Sequence, residues 1–310
     1  MKAVRMHARG GPEQLVYEDA PQPQPAGGEV LVRVYATAVT PTELGWSTTW
    51  KTKTGADRHL PIPGHDLSGV IAEIGPGVTS VTVGAAVYAL TDFNRDGAEA
   101  EYTIALPSEL APKPHSLDSR QAAAVPMSAL TAWQALFDHA GLSAGQRVLI
   151  HGASGGVGTL AVQLAHWAGA HVIGTASAHN RDFVCGLRAD DFVDYTTTHF
   201  EDVVHEVDVV LDTVGGDTLE RSWNVLRKGG ILVSIVGSPT AEQAAAHGVR
   251  AATFIVRPDR EQLIRIGELI DTGRIRPMIE VVLPLSQARQ AYERGQGGHA
   301  SGKVVLQVVG

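Results

Sequence analysis

The stretch Val148-Leu149-Ile150-His151-Gly152-Ala153-Ser154-Gly155-Gly156-Val157-Gly158 decides the fold. An apolar run, Arg147 to His151, leads into it and a helix-forming run, Val157 to Ala168, leads out, so its glycines lie where a strand hands over to a helix. Gly152, Gly155 and Gly158 follow a GxxGxxG spacing rather than GxGxxG. The first glycine permits a tight turn, the second lets backbone N–H groups approach a pyrophosphate, and the third lets helix lie close on strand. Turn glycines alone would read the same. A second strand, His171 to Thr175, follows where a dinucleotide-binding unit needs it, and this context favours the nucleotide site.

Working outward, Asp208 to Asp212 and Ile231 to Val236 read as further strands separated by helical segments. Such alternation predicts a parallel sheet with crossover helices. Before about residue 120 the texture differs: Glu29 to Ala36, Leu67 to Ile74, Ala85 to Leu90 and Ala100 to Ala105 are short β-rich runs punctuated by Gly and Pro. They predict a small rolled β domain. Gln121 to Ala140 reads as one helix of a water-soluble protein, since Pro126, Gln134, Asp138 and His139 spoil any membrane span. Near the other end come helices Glu261 to Asp271 and Ser286 to Arg294, then a strand, Lys303 to Val309. That lone strand needs a partner, and the first β domain is the place for it.

At 310 residues the chain has room for two domains. Hydrophobic residues at 44% and charged residues at 19% exclude disorder as the main state. The net charge, 25 − 33 = −8, and the lack of a basic run argue against nucleic acid or an anionic membrane as partner. The single cysteine, Cys185, excludes a disulfide framework and any structural zinc site of several thiolates. It is predicted to be a small buried hydrophobe in the helix Asp182 to Leu187. Residues 1–11 develop no signal-peptide core, so a cytoplasmic protein is expected.

The second strand of the nucleotide unit decides which cofactor fits. A free ribose 2′-hydroxyl is usually gripped by an Asp or Glu about 20 residues after the glycines. Here the strand ends Gly174-Thr175-Ala176-Ser177-Ala178-His179-Asn180-Arg181, with no carboxylate before Asp182. Ser177 can donate a hydrogen bond and Arg181 supplies charge, so a 2′-phosphate is the better fit. NADPH is predicted over NADH.

Gly64-His65-Asp66-Leu67-Ser68-Gly69-Val70, Asp96-Gly97-Ala98-Glu99-Ala100-Glu101-Tyr102, Leu130-Thr131-Ala132-Trp133-Gln134-Ala135-Leu136, the Ala153 to Gly158 loop and the terminal Gly302-Lys303-Val304-Val305-Leu306 resemble, in this order, motifs of the medium-chain dehydrogenase/reductase superfamily. The chain most resembles its zinc-free quinone oxidoreductase branch, the zeta-crystallin-like NADPH reductases. That resemblance implies an α/β architecture: a GroES-like β-rich catalytic domain from residues 1–121 and 262–310, a Rossmann doubly wound parallel sheet from 122–261, and an active site in the cleft. It implies further that Thr131 lies near the nicotinamide and that Ser154, Gly155, Gly156 and Val157 lie under the pyrophosphate. Ser177, Arg181 and Tyr195 would surround the 2′-phosphate. Gly215, Gly216, Val236, Gly237, Phe254, Ile255 and Val256 would line the rest of the groove, and a homodimer would form through the sheet edge near Ala252 to Val256.

Zinc members of the superfamily bind metal with Cys, His and a third Cys or carboxylate. Against that pattern stand Thr40, His65 and Met127, and a hydroxyl, an imidazole and a thioether do not make a zinc site. Val39-Thr40-Pro41-Thr42-Glu43 takes the place of the branch's V-N-P-x-D element, so Thr40 and Glu43 are the candidate catalytic residues. The same letters also spell a helix capping box with Pro at the first helical position, and the cap is the favoured reading. Trp46 and Trp50, four apart, either fill core or form an aromatic wall for a flat substrate. The function predicted is NADPH-dependent hydride transfer, without zinc, to a quinone or to the C=C of an α,β-unsaturated carbonyl. The alternative is a non-catalytic NADPH-binding redox sensor or structural protein, for which Thr40 and Glu43 in place of Asn and Asp are the argument.

Overall fold

The computed structural model describes residues 1–297 and 301–309. They group into two units: Met1–Met127 with Arg257–Gly273 and Pro277–Gly310, and Ser128–Val256 with Arg274–Arg276. The sequence reading set its breaks at 121/122 and 261/262 instead. Arg274–Arg276 joins the second unit because the Arg276 backbone exchanges two hydrogen bonds of 3.0 Å with the Gln163 side chain.

In the first unit β1 (Lys2–Met6) pairs antiparallel with β2 (Leu15–Asp19). The main sheet uses β3 (Val30–Ala38), β4 (Asp66–Ile74), β5 (Ala86–Leu90), β6 (Tyr102–Ala105) and β7 (Ala111–Pro112), together with β14 (Ile279–Pro284) and β15 (Lys303–Gln307) from the far end of the chain. Its order is β14-β15-β3-β4-β5-β7, with β6 pairing on β3. The terminal strand therefore finds its partner where the sequence required, antiparallel to β3 with Val305 opposite Ala38. Val30, Val32, Val34, Leu67, Ile71, Val87 and Leu110 form one core of the rolled sheet. A second core joins Met6, Leu44, Trp50, Tyr292 and Leu306, so both chain ends are held by apolar burial as well as by the ladder. Short α1 (Ser47–Trp50), α2 (Ser119–Ala123), α8 (Arg260–Asp271) and α9 (Ala288–Gln296) complete the unit, and α3 (Pro126–Trp133) begins at its boundary.

In the second unit β8 (Arg147–Ile150), β9 (His171–Ala176), β10 (Asp191–Asp194), β11 (Val207–Asp212), β12 (Leu226–Ser234) and β13 (Arg250–Thr253) form a wholly parallel sheet of order β10-β9-β8-β11-β12-β13. Crossovers include α4 (Gly156–Trp167), α5 (Arg181–Gly186), α6 (Gly216–Ser222) and α7 (Ala241–His247). The chain moves outward from β8 to β10, then returns to place β11 on the other side of β8. That reversal makes the carboxyl ends of β8 and β11 the topological switch point, where ligands of open α/β sheets bind.

Two local readings are corrected. The helix expected over Gln121 to Ala140 is broken: α2, capped by a reciprocal box between Asp118 and Gln121, stops before Pro126, and α3 passes into a π-helical turn over Gln134–His139. Proline lacks an N–H and disfavours helical backbone before it. Cys185 is exposed rather than buried, because α5 turns its neighbour Val184 inward against Gly174. Among the described residues no helix is long and apolar enough to cross a membrane.

Candidate functional site

The glycine loop after β8 is shaped by contacts that exclude a side chain. Gly152 has φ +67°, and a Cβ there would stand 2.5 Å from Thr213 Oγ1. Thr213 Oγ1 itself donates to the His151 carbonyl at 2.8 Å, tying the loops after β8 and β11 together. A Cβ on Gly158 would stand 2.1 Å from the Gly152 carbonyl oxygen and 2.8 Å from Ala153 Cα. The first turn of α4 thus lies on the loop at a distance only hydrogen allows. Gly155 is the extended residue before α4, and Ser154, Gly155, Gly156 and Val157 are half-buried at the start of this twelve-residue helix. Free N–H groups and the helix dipole make that position favourable for a pyrophosphate.

Beneath the loop lies a residue that the sequence reading passed over. His151 is 1% exposed, with Nδ1 3.1 Å from Thr175 Oγ1 and Nε2 3.1 Å from Ser222 Oγ. Burial lowers its pKa to about 4, so it is a neutral tie between β9, the glycine loop and α6. Asp212 and Ser234 were missed as well. Asp212 Oδ1 accepts from the backbone N–H groups of Val214 and Gly215, while its Oδ2 accepts from Ser234 Oγ at 2.7 Å. Ser234 Oγ in turn accepts from Gly237 N–H at 2.8 Å, and Thr253 Oγ1 donates to the Gly237 carbonyl. Four predicted groove residues, Gly215, Gly216, Val236 and Gly237, are thereby brought together after β11 and β12. The available signal was a polar residue closing each apolar strand. Of the remainder, Phe254 stacks on His139 with ring centroids 4.4 Å apart, Ile255 is 83% exposed, Val256 is half-buried, and Thr131 is buried on α3.

Ser177 directly follows β9 and Tyr195 directly follows the adjacent β10, while Arg181 opens α5. The Tyr195 N–H donates to the Ala176 carbonyl at 3.3 Å, which seats exposed Tyr195 beside the end of β9. The Arg181 guanidinium lies 5.0 Å from the centre of the Phe192 ring. Asp194, the last residue of β10, accepts from Thr196 and Thr197, and these bonds, with one from the Ala178 backbone after β9, hold its pKa below the usual range.

The first unit holds the second group of candidates. Thr40 follows β3, and its backbone carbonyl accepts from Glu43 N–H at 3.0 Å, but no side chain caps the short turn that begins at Glu43. The capping box expected from Thr40 to Glu43 is absent. Glu43 is instead fully buried, its Oε1 accepting from Gly64 N–H at 2.6 Å. Burial foremost raises its pKa to about 7. The Thr40 hydroxyl lies 3.5 Å from Lys303 Nζ, which also donates to the Val39 carbonyl and pairs with Asp66 Oδ2 at 3.0 Å. Asp66 Oδ1 accepts from Met127 N–H at 2.7 Å. Nearby, Glu99 Oε1 accepts from Tyr292 Oη at 2.8 Å, and burial drives the Glu99 pKa far upward. Lys303 was visible in the sequence only as part of the terminal motif; nothing there revealed its reach to Asp66.

The donors at the position of the family's zinc do not suit that ion. His65 Nδ1 faces Thr91 Oγ1 at 3.1 Å and burial pushes its pKa down to about 3, while Thr40 and Met127 offer a hydroxyl and a thioether. His65 is a buried, hydrogen-bonded residue immediately before β4. Trp46 and Trp50 part company: Trp50 is core, its Nε1 donating to the Leu44 carbonyl, whereas half-buried Trp46 sets its edge against Phe93, which in turn meets His65.

Residues 26–115 match the alcohol dehydrogenase GroES-like domain and residues 187–306 match the zinc-binding dehydrogenase domain. The chain is 38% identical to a probable zinc-binding oxidoreductase, mitochondrial, of Arthroderma benhamiae, over 95% of this chain and 93% of that one. It is 32% identical to the NADPH-dependent alkenal/one oxidoreductase, chloroplastic, of Arabidopsis thaliana, over 99% and 79%. The solved structure of the quinone oxidoreductase from Coxiella burnetii superposes with a TM-score of 0.92 at 33% identity, covering 100% of this chain and 99% of that one. A parallel sheet with its glycine loop at the switch point, a rolled β unit built from both chain ends, and these likenesses along the whole chain make it a member of the medium-chain dehydrogenase/reductase superfamily, in the quinone oxidoreductase branch.

Proposed function

We propose that the protein is an NADPH-dependent oxidoreductase that reduces a quinone or the C=C of an α,β-unsaturated carbonyl without zinc. The observation that supports the cofactor choice is that the turn after β9 carries Ser177 and Arg181 with no carboxylate between them, while Tyr195 follows the adjacent β10. Ser154, Gly155, Gly156 and Val157 would hold the pyrophosphate, and Gly215 and Gly237 would keep backbone close along the groove. When bound, the nicotinamide supplies hydride. Quinones and enones accept hydride conjugatively and spread the resulting charge onto oxygen, so hydrogen-bond donors suffice in place of a Lewis acid. Thr40, half-buried with its hydroxyl near Lys303, is the proposed donor to that oxygen. Glu43 supports the Gly64 backbone from within. A homodimer through β13, supported by the exposed Ile255 that follows it, and a cytoplasmic setting complete the reading.

The test is oxidation of NADPH and NADH by purified protein against quinones and enones, with zinc counted by elemental analysis. Turnover with NADPH, far less than one zinc per chain and indifference to chelator are expected. A charge-assisted phosphate contact is worth about 1.5–3 kcal/mol, so Arg181→Ala should weaken NADPH roughly 10- to 150-fold and spare NADH. Binding without turnover on the whole panel would favour a redox sensor, and stoichiometric zinc would overturn the metal-free reading.

A further inference from the structure

The first turn of α5 lies over the outer edge of the parallel sheet, where β10 is the last strand. Gly174 on β9 stands opposite Phe192 on β10, so the two share a face of the sheet. A Cβ on Gly174 would come within 2.9 Å of Val184 Cγ1, which shows that α5 rests on this face. Arg181, three residues before Val184, lies on the same side of the helix, and its guanidinium sits over the half-buried Phe192 ring, 5.0 Å from the centre. Among the described residues that guanidinium makes no hydrogen bond or ion pair with another protein group. Arg221 shows the contrast. It lies at the same 5.0 Å from the Phe200 ring, yet its Nη1 donates to both Glu201 carboxylate oxygens, at 2.9 and 3.0 Å. Arg221 is held and satisfied, whereas Arg181 is held with its donors unspent.

From this packing we infer that Phe192 is a positioning residue for cofactor choice: it holds Arg181 beside the turn after β9 with the guanidinium N–H groups still available to a 2′-phosphate. An aromatic face attracts a cation through its quadrupole and takes none of its conventional hydrogen bonds. The planar fork of donors keeps its capacity for a phosphate, which it can grip by two parallel bonds. A loose arginine side chain gives up its rotamer freedom on binding, and one already held over a ring has less to give up. Because Phe192 acts only through Arg181, its contribution should vanish once the guanidinium is gone. NADH presents no phosphate at that position and should not feel it. The inference rests on the 2′-phosphate reading proposed above, and the experiment separates the two.

Kd for NADPH and NADH is measured by fluorescence titration on wild type, Phe192→Leu, Phe192→Tyr, Arg181→Ala and the variant combining Phe192→Leu with Arg181→Ala, with thermal unfolding of each. Leu keeps apolar bulk and loses the ring, whereas Tyr keeps the ring. Phe192→Leu should weaken NADPH about two- to fivefold, since holding the side chain can contribute no more than such a contact is worth at an exposed site, and should leave NADH unchanged. Phe192→Tyr should bind both cofactors as wild type does. Once Arg181→Ala is present, Phe192→Leu should have no further effect on NADPH. A merely structural role would weaken both cofactors together or would persist without Arg181. If Arg181→Ala is selective for NADPH but Phe192→Leu spares NADPH, weakens NADH equally, or acts in full without Arg181, the role of Phe192 is overturned and the 2′-phosphate reading stands. If Arg181→Ala has no selective effect on NADPH, that reading fails and the inference fails with it.

Discussion

The glycine loop of residues 152–158 and the Thr40–Glu43 segment were both singled out from sequence, and they fared differently. The loop is defined by what its residues lack: Gly158 leaves no side chain between α4 and the Gly152 carbonyl. Thr40 and Glu43 are defined by what they meet, and their partners, Gly64 and Lys303, come from far along the chain. A backbone requirement is local and readable. A partnership of side chains is neither.

The contrast breaks most visibly at Lys303. Lys303→Met strips buried Asp66 of its ion pair and leaves, among the described residues, the Met127 N–H against it; breaking one side of a buried pair costs about 3–5 kcal/mol. Denaturant unfolding should record that loss, with a good part regained when Asp66→Asn is added. A loss under about 1 kcal/mol, measured against that range, would mean the pair does not organise the segment.

Glu43 sharpens the comparison through pH. Its carboxyl has a pKa of about 7 in the folded protein against 4.5 for an ordinary one, so the native state binds the extra proton between those values. Stability contributed by this group therefore falls as pH rises through that window and levels off above it, by on the order of 3 kcal/mol at about 1.4 kcal/mol per unit. Glu43→Gln, which keeps an acceptor for Gly64 N–H, should flatten that part of the profile. Unchanged slopes in urea melts across about pH 5 to 8 would show that Glu43 is ionised at little cost.

In the loop the two glycines should separate. Gly158→Ala forces backbone apart and is expected to cost about 1–3 kcal/mol. Gly155→Ala, whose Cβ would lie 3.4 Å from the nearest atom, the Gly152 carbonyl oxygen, should cost well below that. Equal effects in thermal unfolding would remove the steric argument for the third glycine.

Smallest is the effect at Thr40. A true N-cap lost to Val would cost about 1 kcal/mol. With no cap to lose and only the long 3.5 Å contact with Lys303 Nζ given up, Thr40→Val should cost less than about 0.5 kcal/mol, the low end for a hydrogen bond. A full cap-sized loss would restore the reading that the structure replaces.

Much of the fold was legible. Apolar periodicity and the glycine spacing located the parallel sheet, the rolled β unit and the return of the terminal strand to β3, because each element's burial follows from its own residues. Ser177 and Arg181 were readable from the missing carboxylate after β9, whereas Tyr195 entered only through the family resemblance and its strand, β10, was not foreseen. Tertiary structure alone decided the rest. It turned Cys185 outward, since a six-residue helix shows its neighbour Val184 to the sheet. It broke the apparent capping box by drawing Glu43 to Gly64, and it linked Lys303 to Asp66 across 237 positions. Composition and period state how much of a chain is buried and on which face. Which buried polar groups meet depends on the register of distant strands, and the requirement that each find a partner acts only once those strands are in place.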